Sequence, residues 1–248
     1  MAQIFPRWTN ETPRLITIGA LGGLAALIFA VYWWASPYHT DVGYQPKQPV
    51  AYSHALHAGE LKMDCRYCHY AVEQGQVAGV PPTQVCMNCH SQVKKGSEKL
   101  KPIYDSWDDG KGTKPVEWVR IHKLPDYAYF PHSAHVALGV GENRAAIGCE
   151  TCHGRIDQME VVHQVQPLSM AWCIDCHSNP AQYIRPADQV TKMGWSSGVD
   201  WQERQREIAA TLNPPGNLSG AQKWVASEDG KSGHYQTYAT AGCSGCHR

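Results

Sequence analysis

Hydrophobic positions are spread very unevenly along this chain. From Leu15 to Ala35 the sequence LITIGALGGLAALIFAVYWWA carries no charge, and none occurs between Arg14 and Asp41. A run of that length crosses a bilayer as one helix. Gly19 and Gly23 form a Gly-x-x-x-Gly pair on it, a spacing that lets a second membrane helix approach closely. Beyond the run the periodic signal is sparse. Val199 to Leu212 (VDWQERQREIAATL) has the helical period, with Trp201, Ile208 and Leu212 on one side, and Pro214 and Pro215 end it. Val93 to Pro115, rich in Lys, Asp, Gly and Pro, reads as a surface helix end followed by a loop, its lysines a solvated face. Pro180 to Asp200 reads as irregular, and no extended sheet is expected.

Composition sharpens this picture. The 248 residues have a formal net charge of zero, which argues against nucleic acid as a partner. Only three Phe are present and mean hydropathy is negative, so the part outside the apolar run has a thin aliphatic core. Something other than side chains is needed to fill it.

The cysteines supply the candidate. All ten fall into five Cys-x-x-Cys-His motifs: CRYCH (Cys65, Cys68, His69), CMNCH (Cys86, Cys89, His90), CETCH (Cys149, Cys152, His153), CIDCH (Cys173, Cys176, His177) and CSGCH (Cys243, Cys246, His247). This is the c-type haem attachment pattern: two thiols add to the two vinyl groups, and the next histidine is held under the iron. Zinc knuckles do not require a histidine after every second cysteine, and disulfides set no rule for the next residue. Five covalently bound c-type haems are therefore expected.

Haem attachment also bears on the compartment. Arg7 and Arg14 precede the apolar run, and Trp33 and Trp34 sit where an interfacial aromatic belt lies. Bulky Trp33 at the third position before a cut after Ala35 disfavours a cleaved signal peptide. The expected topology is a single-pass protein of the bacterial inner membrane, with a cytoplasmic N-terminus and a periplasmic haem domain. Residues 1–36 are then the N-terminus and anchor, and residues 37–248 the haem domain. The expected fold is mainly α with much irregular structure, one N-terminal transmembrane helix being followed by short helices and loops wrapped around five haems.

Each iron needs a second axial ligand. Eight histidines lie outside the motifs: His39, His54, His57, His122, His132, His135, His163 and His234. YSHALH (Tyr52 to His57) precedes the first motif and FPHSAH (Phe130 to His135) the third, so the chain reads as dihaem units at about 52–92 and 130–180, with a fifth haem at 243–247. A His-x-x-His pair on a helix puts both rings on one face, whereas the two ligands of one iron lie on opposite faces of the macrocycle. His54 and His57 must therefore serve two haems, as must His132 and His135. For the fifth iron, His122 and Met170 are the candidates, a thioether giving the higher potential.

The unit [Tyr/Phe]-x-His-x-x-His ahead of Cys-x-x-Cys-His resembles the class III multihaem cytochromes c. That resemblance implies His54 at the haem on Cys65 and Cys68, His132 at the haem on Cys149 and Cys152, and His57 and His135 at other haems. VEWVRIHKLPDYAYFPHSAH (Val116 to His135) and PLSMAWCIDCHSNP (Pro167 to Pro180) further resemble the pentahaem cytochrome subunits of bacterial alternative complex III. The resemblance implies an electron-carrier subunit of a quinol-oxidising complex that makes and breaks no substrate bonds itself. Its partners would be membrane and iron–sulfur subunits on one side, and a monohaem cytochrome c, a soluble carrier or a terminal oxidase on the other. A self-sufficient, membrane-anchored quinol dehydrogenase feeding a periplasmic reductase is the alternative. A small-anion reductase needs an iron with a vacant distal side, which the surplus of ligands disfavours.

Overall fold

The computed structural model describes residues 4–112, 114–137, 145–212, 223–226, 233–236 and 242–247, and the chain divides into two units, residues 1–42 and 43–248. The first unit is dominated by one helix, Thr12–Trp34, with no buried side chain. Pro13 sits in its first turn, where a missing N–H costs nothing. Phe29 and Trp33, one turn apart, stack at 6.1 Å on its surface. Thr12–Trp34 is long and apolar enough to span a membrane.

The second unit is built from short helices: Cys65–Cys68, Thr83–His90, Lys101–Trp107, Ser133–Val136, Cys149–His153, Met170–Ser178, Val199–Leu212 and Cys243–Cys246. Loops, 3-10 turns and one π-helical stretch, Ala55–Glu60, join them. Every Cys-x-x-Cys pair lies on one of these helices. Two are capped by side chains that the sequence supplies one residue ahead: Asp64 accepts from the Arg66 N–H at 2.9 Å, and Ser169 from the Trp172 N–H at 3.3 Å.

Among the described residues, strand is confined to two short antiparallel ladders. Ala145–Ile147 pairs with Ile184–Pro186 in the register Ala146↔Arg185, and Lys223–Ala226 pairs with Gly233–Gln236 in the register Trp224↔Tyr235. The first ladder ties the approach to the third Cys-x-x-Cys-His motif to the segment after the fourth.

Among the described residues the apolar interior consists of three small clusters: Val50, Met87 and Ile103; Val136, Ala146 and Val190; and Ala145, Ile147 and Ile184. The helix Val199–Leu212 has the bounds its periodicity predicts, and Trp201 and Ile208 pack on the third cluster. The Trp201 indole N–H donates to the Ile184 carbonyl at 3.1 Å. Leu212's side chain, Pro214 and Pro215 lie outside the described residues.

The lysine-rich segment departs from its reading as a helix end and loop. It contains the helix Lys101–Trp107, whose Ile103 is 3% exposed and joins Tyr104 and Trp107 in the first cluster. Lys101 and Asp105 pair on the outer face at 2.7 Å. The apolar stripe was hidden because only three of its inward positions are apolar, Ser106 being the buried fourth, and charged neighbours dominate the composition.

Candidate haem-binding site

A Cys-x-x-Cys pair within one helical turn directs both thiols to one side, with the histidine following on the next step. No two of the ten cysteines are joined in a disulfide. Burial pushes the Cys152 thiol up to about 12 and the Cys176 thiol up to about 11. The Cys65 and Cys149 thiols, 84 positions apart in sequence, share a hydrogen bond that lowers the Cys65 pKa and, with burial, raises that of Cys149. Among the described residues no three His, Cys, Asp or Glu side chains converge on one point.

The imidazoles are oriented by backbone carbonyls. His57 Nδ1 lies 2.8 Å from the Ser53 carbonyl, His69 Nδ1 2.7 Å from that of Gly79, and His90 Nδ1 3.1 Å from that of Val93. His132 pairs in the same way with Gln76 at 2.9 Å, His135 with Pro131 at 2.9 Å and His247 with Tyr127 at 3.2 Å. A carbonyl oxygen only accepts, so each Nδ1 carries the proton and each Nε2 presents a lone pair. That is the tautomer a metal-ligating histidine requires, fixed by the bond at its other nitrogen.

Ring separations decide which histidines face each other. Two imidazoles sharing one metal have centroids about 6.3 Å apart, twice the sum of a metal–nitrogen bond of about 2.0 Å and roughly 1.15 Å from that nitrogen to the ring centre. His57 and His90 are 6.2 Å apart, His132 and His153 6.3 Å, and His135 and His177 6.1 Å. Each pair joins a histidine of a His-x-x-His segment to one of a Cys-x-x-Cys-His motif. Apolar side chains flanking the motifs, Val77, Val80 and Ile174 among them, are exposed rather than packed against protein. Ring spacing, tautomers and unpacked apolar surface all fit haem.

The two His-x-x-His segments are built alike. Tyr52 meets His54 edge-on at 4.7 Å and stacks on His57 at 4.4 Å. Phe130 meets His132 edge-on at 5.0 Å and lies tilted over His135 at 4.5 Å. In both, the second histidine bonds the carbonyl four residues earlier. The aromatic is thus a spacer that splays the two imidazoles. Its role was not assigned from sequence, although its recurrence at the same offset is the signal that could have revealed it. Gly59 follows the first pair because its backbone lies against the Asp157 carbonyl, leaving no room for a Cβ.

Burial suppresses the charge on the remaining rings of the cluster. His54 falls to about 4 and His122 to about 4, with neighbouring histidines adding to the effect, and His153 falls to about 3. His54 Nδ1 and His122 Nε2 are buried polar atoms with no hydrogen-bond partner among the described residues. His122 packs edge-on against His153 at 4.3 Å, too close for one iron between them. Because the folded-state pKa of His122 lies below the unfolded value of 6.5, its stabilising effect is complete above pH 6.5 and is lost as pH falls towards 4, where the unfolded chain binds the proton first. The loss approaches about 3 kcal/mol. Denaturation midpoints measured between pH 7 and 4 should therefore fall less steeply in His122→Leu than in the parent.

The other sequence candidates are dispersed. Met170 opens the helix Met170–Ser178, one turn before Cys173, and is 66% exposed. His163 lies half-buried near His122, and His39 stacks on Trp34 in the first unit. His234 lies on the strand Gly233–Gln236, with its side chain outside the described residues. Sequence reading missed Arg185, which is 5% exposed, bonds Glu150 of the third motif at 2.8 Å and lies 5.0 Å from the Trp195 ring centre. No local spacing signals a pair so far apart in sequence.

Comparison with known proteins agrees with this geometry. Residues 35–125, which include the first two motifs, match the model of the class III cytochrome c family. The chain is also similar to the multihaem cytochrome c subunit of menaquinone reductase from Nitratidesulfovibrio vulgaris. Identity is 34% over 189 residues, covering 68% of this chain and 87% of that protein.

Proposed function

Because the chain belongs to the class III cytochrome c family, whose haems are bound covalently, we propose that it is the electron-transfer subunit of a membrane quinone oxidoreductase and carries five c-type haems. The observation that carries this reading is the set of three imidazole pairs 6.1 to 6.3 Å apart. The ten cysteines hold the macrocycles, with His69, His90, His153, His177 and His247 as proximal ligands. His57 completes the second site, His132 the third and His135 the fourth. His54, whose charge is suppressed by burial and by His69, completes the first. Haem bound in these sites supplies one-electron carriage, and the chain itself breaks no substrate bond. Thr12–Trp34 anchors it, with Arg7 and Arg14 cytoplasmic and the haem domain periplasmic.

For the fifth site we propose Met170 opposite His247. Two observations support it: His122 is engaged against His153, and Met170 is exposed on the helix that carries Cys173, a thiol whose field includes Cys246. The purified subunit should show a near-infrared methionine-to-iron band. Met170→Ala should abolish it and turn about one fifth of the haem high-spin, while His122→Leu should retain it. A parent protein without the band would move His122 into this role.

The direction we propose is quinol oxidation, as in alternative complex III. Electrons enter from iron–sulfur subunits and leave to a monohaem cytochrome c, a soluble carrier or a terminal oxidase. The resemblance of Val116 to Pro180 and the thioether ligand support this direction. Menaquinone reduction is the second reading, favoured by the similarity to the menaquinone reductase subunit. A redox titration of the intact complex separates them: haem potentials mostly above the menaquinone couple support oxidation, and potentials mostly below it support reduction. Quinol oxidation by the isolated chain would instead favour a self-sufficient dehydrogenase.

A further inference from the structure

The motifs do not neighbour one another in the order in which they occur in sequence. Resting on the five-haem reading, we infer that the attachment sites form one unbranched file in the spatial order second, first, third, fourth, fifth. The second and fifth sites are then its two ends, where electrons enter and leave.

Each link has its own contacts. Between the second and first motifs, the Asn88 side-chain N–H donates to the Tyr67 hydroxyl at 3.1 Å, and Cys68 lies in the field of Cys86 and Cys89. The same two sites are bridged from the other side by His54 and His57, since His57 faces His90 and the ring of His54 lies in the field of His69.

The first and third motifs meet at Cys65 and Cys149, whose side chains are near enough to act on one another. Flanking bonds hold them there: Thr191 Oγ1 donates to Asp64 at 2.9 Å, and the Cys149 N–H donates to the neighbouring Val190 carbonyl at 3.2 Å. These sulfurs are the haem-bearing atoms, so the join between the two dihaem units lies at the attachment edges of the first and third sites.

The third and fourth sites are bridged by His132 and His135, which face His153 and His177. Cys152 lies in the field of both Cys176 and Cys173. The fifth motif docks on the strand-like segment that leads into those histidines: Ala128 bridges His247, and the Tyr129 N–H donates to the Cys246 carbonyl at 2.7 Å. The third site already has the first and the fourth beside it, so an unbranched file leaves the fourth motif as the neighbour of the fifth.

The inversion of the first two sites has a physical origin. His54 and His57 serve two sites within one unit, while His132 is pinned by its N–H and Nδ1 to the Gln76 carbonyl in the loop between the first two motifs. The second unit is thereby held against the first site, and the second site is left outermost.

The test is iron-edge anomalous diffraction from the haem-loaded chain, with each iron assigned to its motif by its thioether bonds, alongside a pyridine haemochrome count. The expected result is five haems per chain, with the first-motif iron flanked by the second- and third-motif irons and the fifth-motif iron nearest the fourth. A first-motif iron at one end, or a third-motif iron nearer the second than the first, overturns the order while leaving the five-haem reading intact. A count below five overturns that reading and the order with it.

Discussion

Produced without haem attachment, the full-length chain in detergent is expected to show no cooperative thermal transition of its extramembrane part, whereas the haem-loaded chain melts cooperatively. The reason lies in how little apolar surface the polypeptide buries by itself. Among the described residues only ten hydrophobic side chains are buried, two of them alanines, and they fall into clusters of three plus the separate Met159. Ordering a residue costs about 1 to 2 kcal/mol of backbone entropy, which clusters of this size do not offset over some two hundred residues. Attached haem contributes two things at once. It fills the interior with apolar surface, and in the proposed ligation it would tie segments distant in sequence, such as His57 to His90 and His132 to His153, whose rings face each other. Scanning calorimetry and near-ultraviolet circular dichroism of the two forms test this. A haem-free chain melting sharply near the temperature of the loaded one would show that side-chain packing alone suffices.

Arg185→Ala is expected to destabilise the haem-loaded protein by about 3 to 5 kcal/mol, the cost of leaving a buried charge without its partner. The guanidinium donates to Glu150 Oε1 at 2.8 Å, to the Lys192 carbonyl at 3.1 Å and to the Gln189 carbonyl at 3.4 Å, while the second Glu150 oxygen accepts from the Gly194 N–H at 2.6 Å. Glu150 lies between Cys149 and Cys152, so this network clamps the third attachment helix to the strand after the fourth. The clamp is tight enough that a Cβ on Gly148 would collide with the guanidinium. Lysine cannot reproduce the planar fork, and Arg185→Lys should recover only part of the loss. Arg185→Leu combined with Glu150→Leu should recover more, because no unpaired charge remains. Denaturant titration followed at the Soret band measures all three. Parent-like stability of Arg185→Ala would mean that water reaches this pair freely.

Arg185 also marks where sequence reading stops. The Cys-x-x-Cys-His motifs stand out because c-type haem attachment sets residue types at fixed spacings along a short stretch of chain, and each Cys-x-x-Cys pair lies on a short helix. The His-x-x-His segments stand out by their repeated spacing ahead of the first and third motifs, although each lies at a single short turn, Ala55–Glu60 or Ser133–Val136, rather than on a long helix face. The apolar run at Leu15 to Ala35 and the amphipathic period of Val199 to Leu212 are local patterns too, and the helices Thr12–Trp34 and Val199–Leu212 follow them. By contrast, Ile103 escaped notice because three apolar inward positions on a seven-residue helix are too few to stand out against lysines and aspartates.

What only the tertiary structure decided are the meetings between segments: His57 opposite His90 rather than His69, His122 against His153, Cys65 beside Cys149, Glu150 beneath Arg185. Spacing along the chain determines the direction of a side chain within its own helix. It carries no information about which distant segment closes the other side, because loops of many lengths can bring either partner there at nearly equal entropic cost. Spacing along the chain sets which thiols and imidazoles stand together within each segment; the packing of its loops sets which imidazoles face one another.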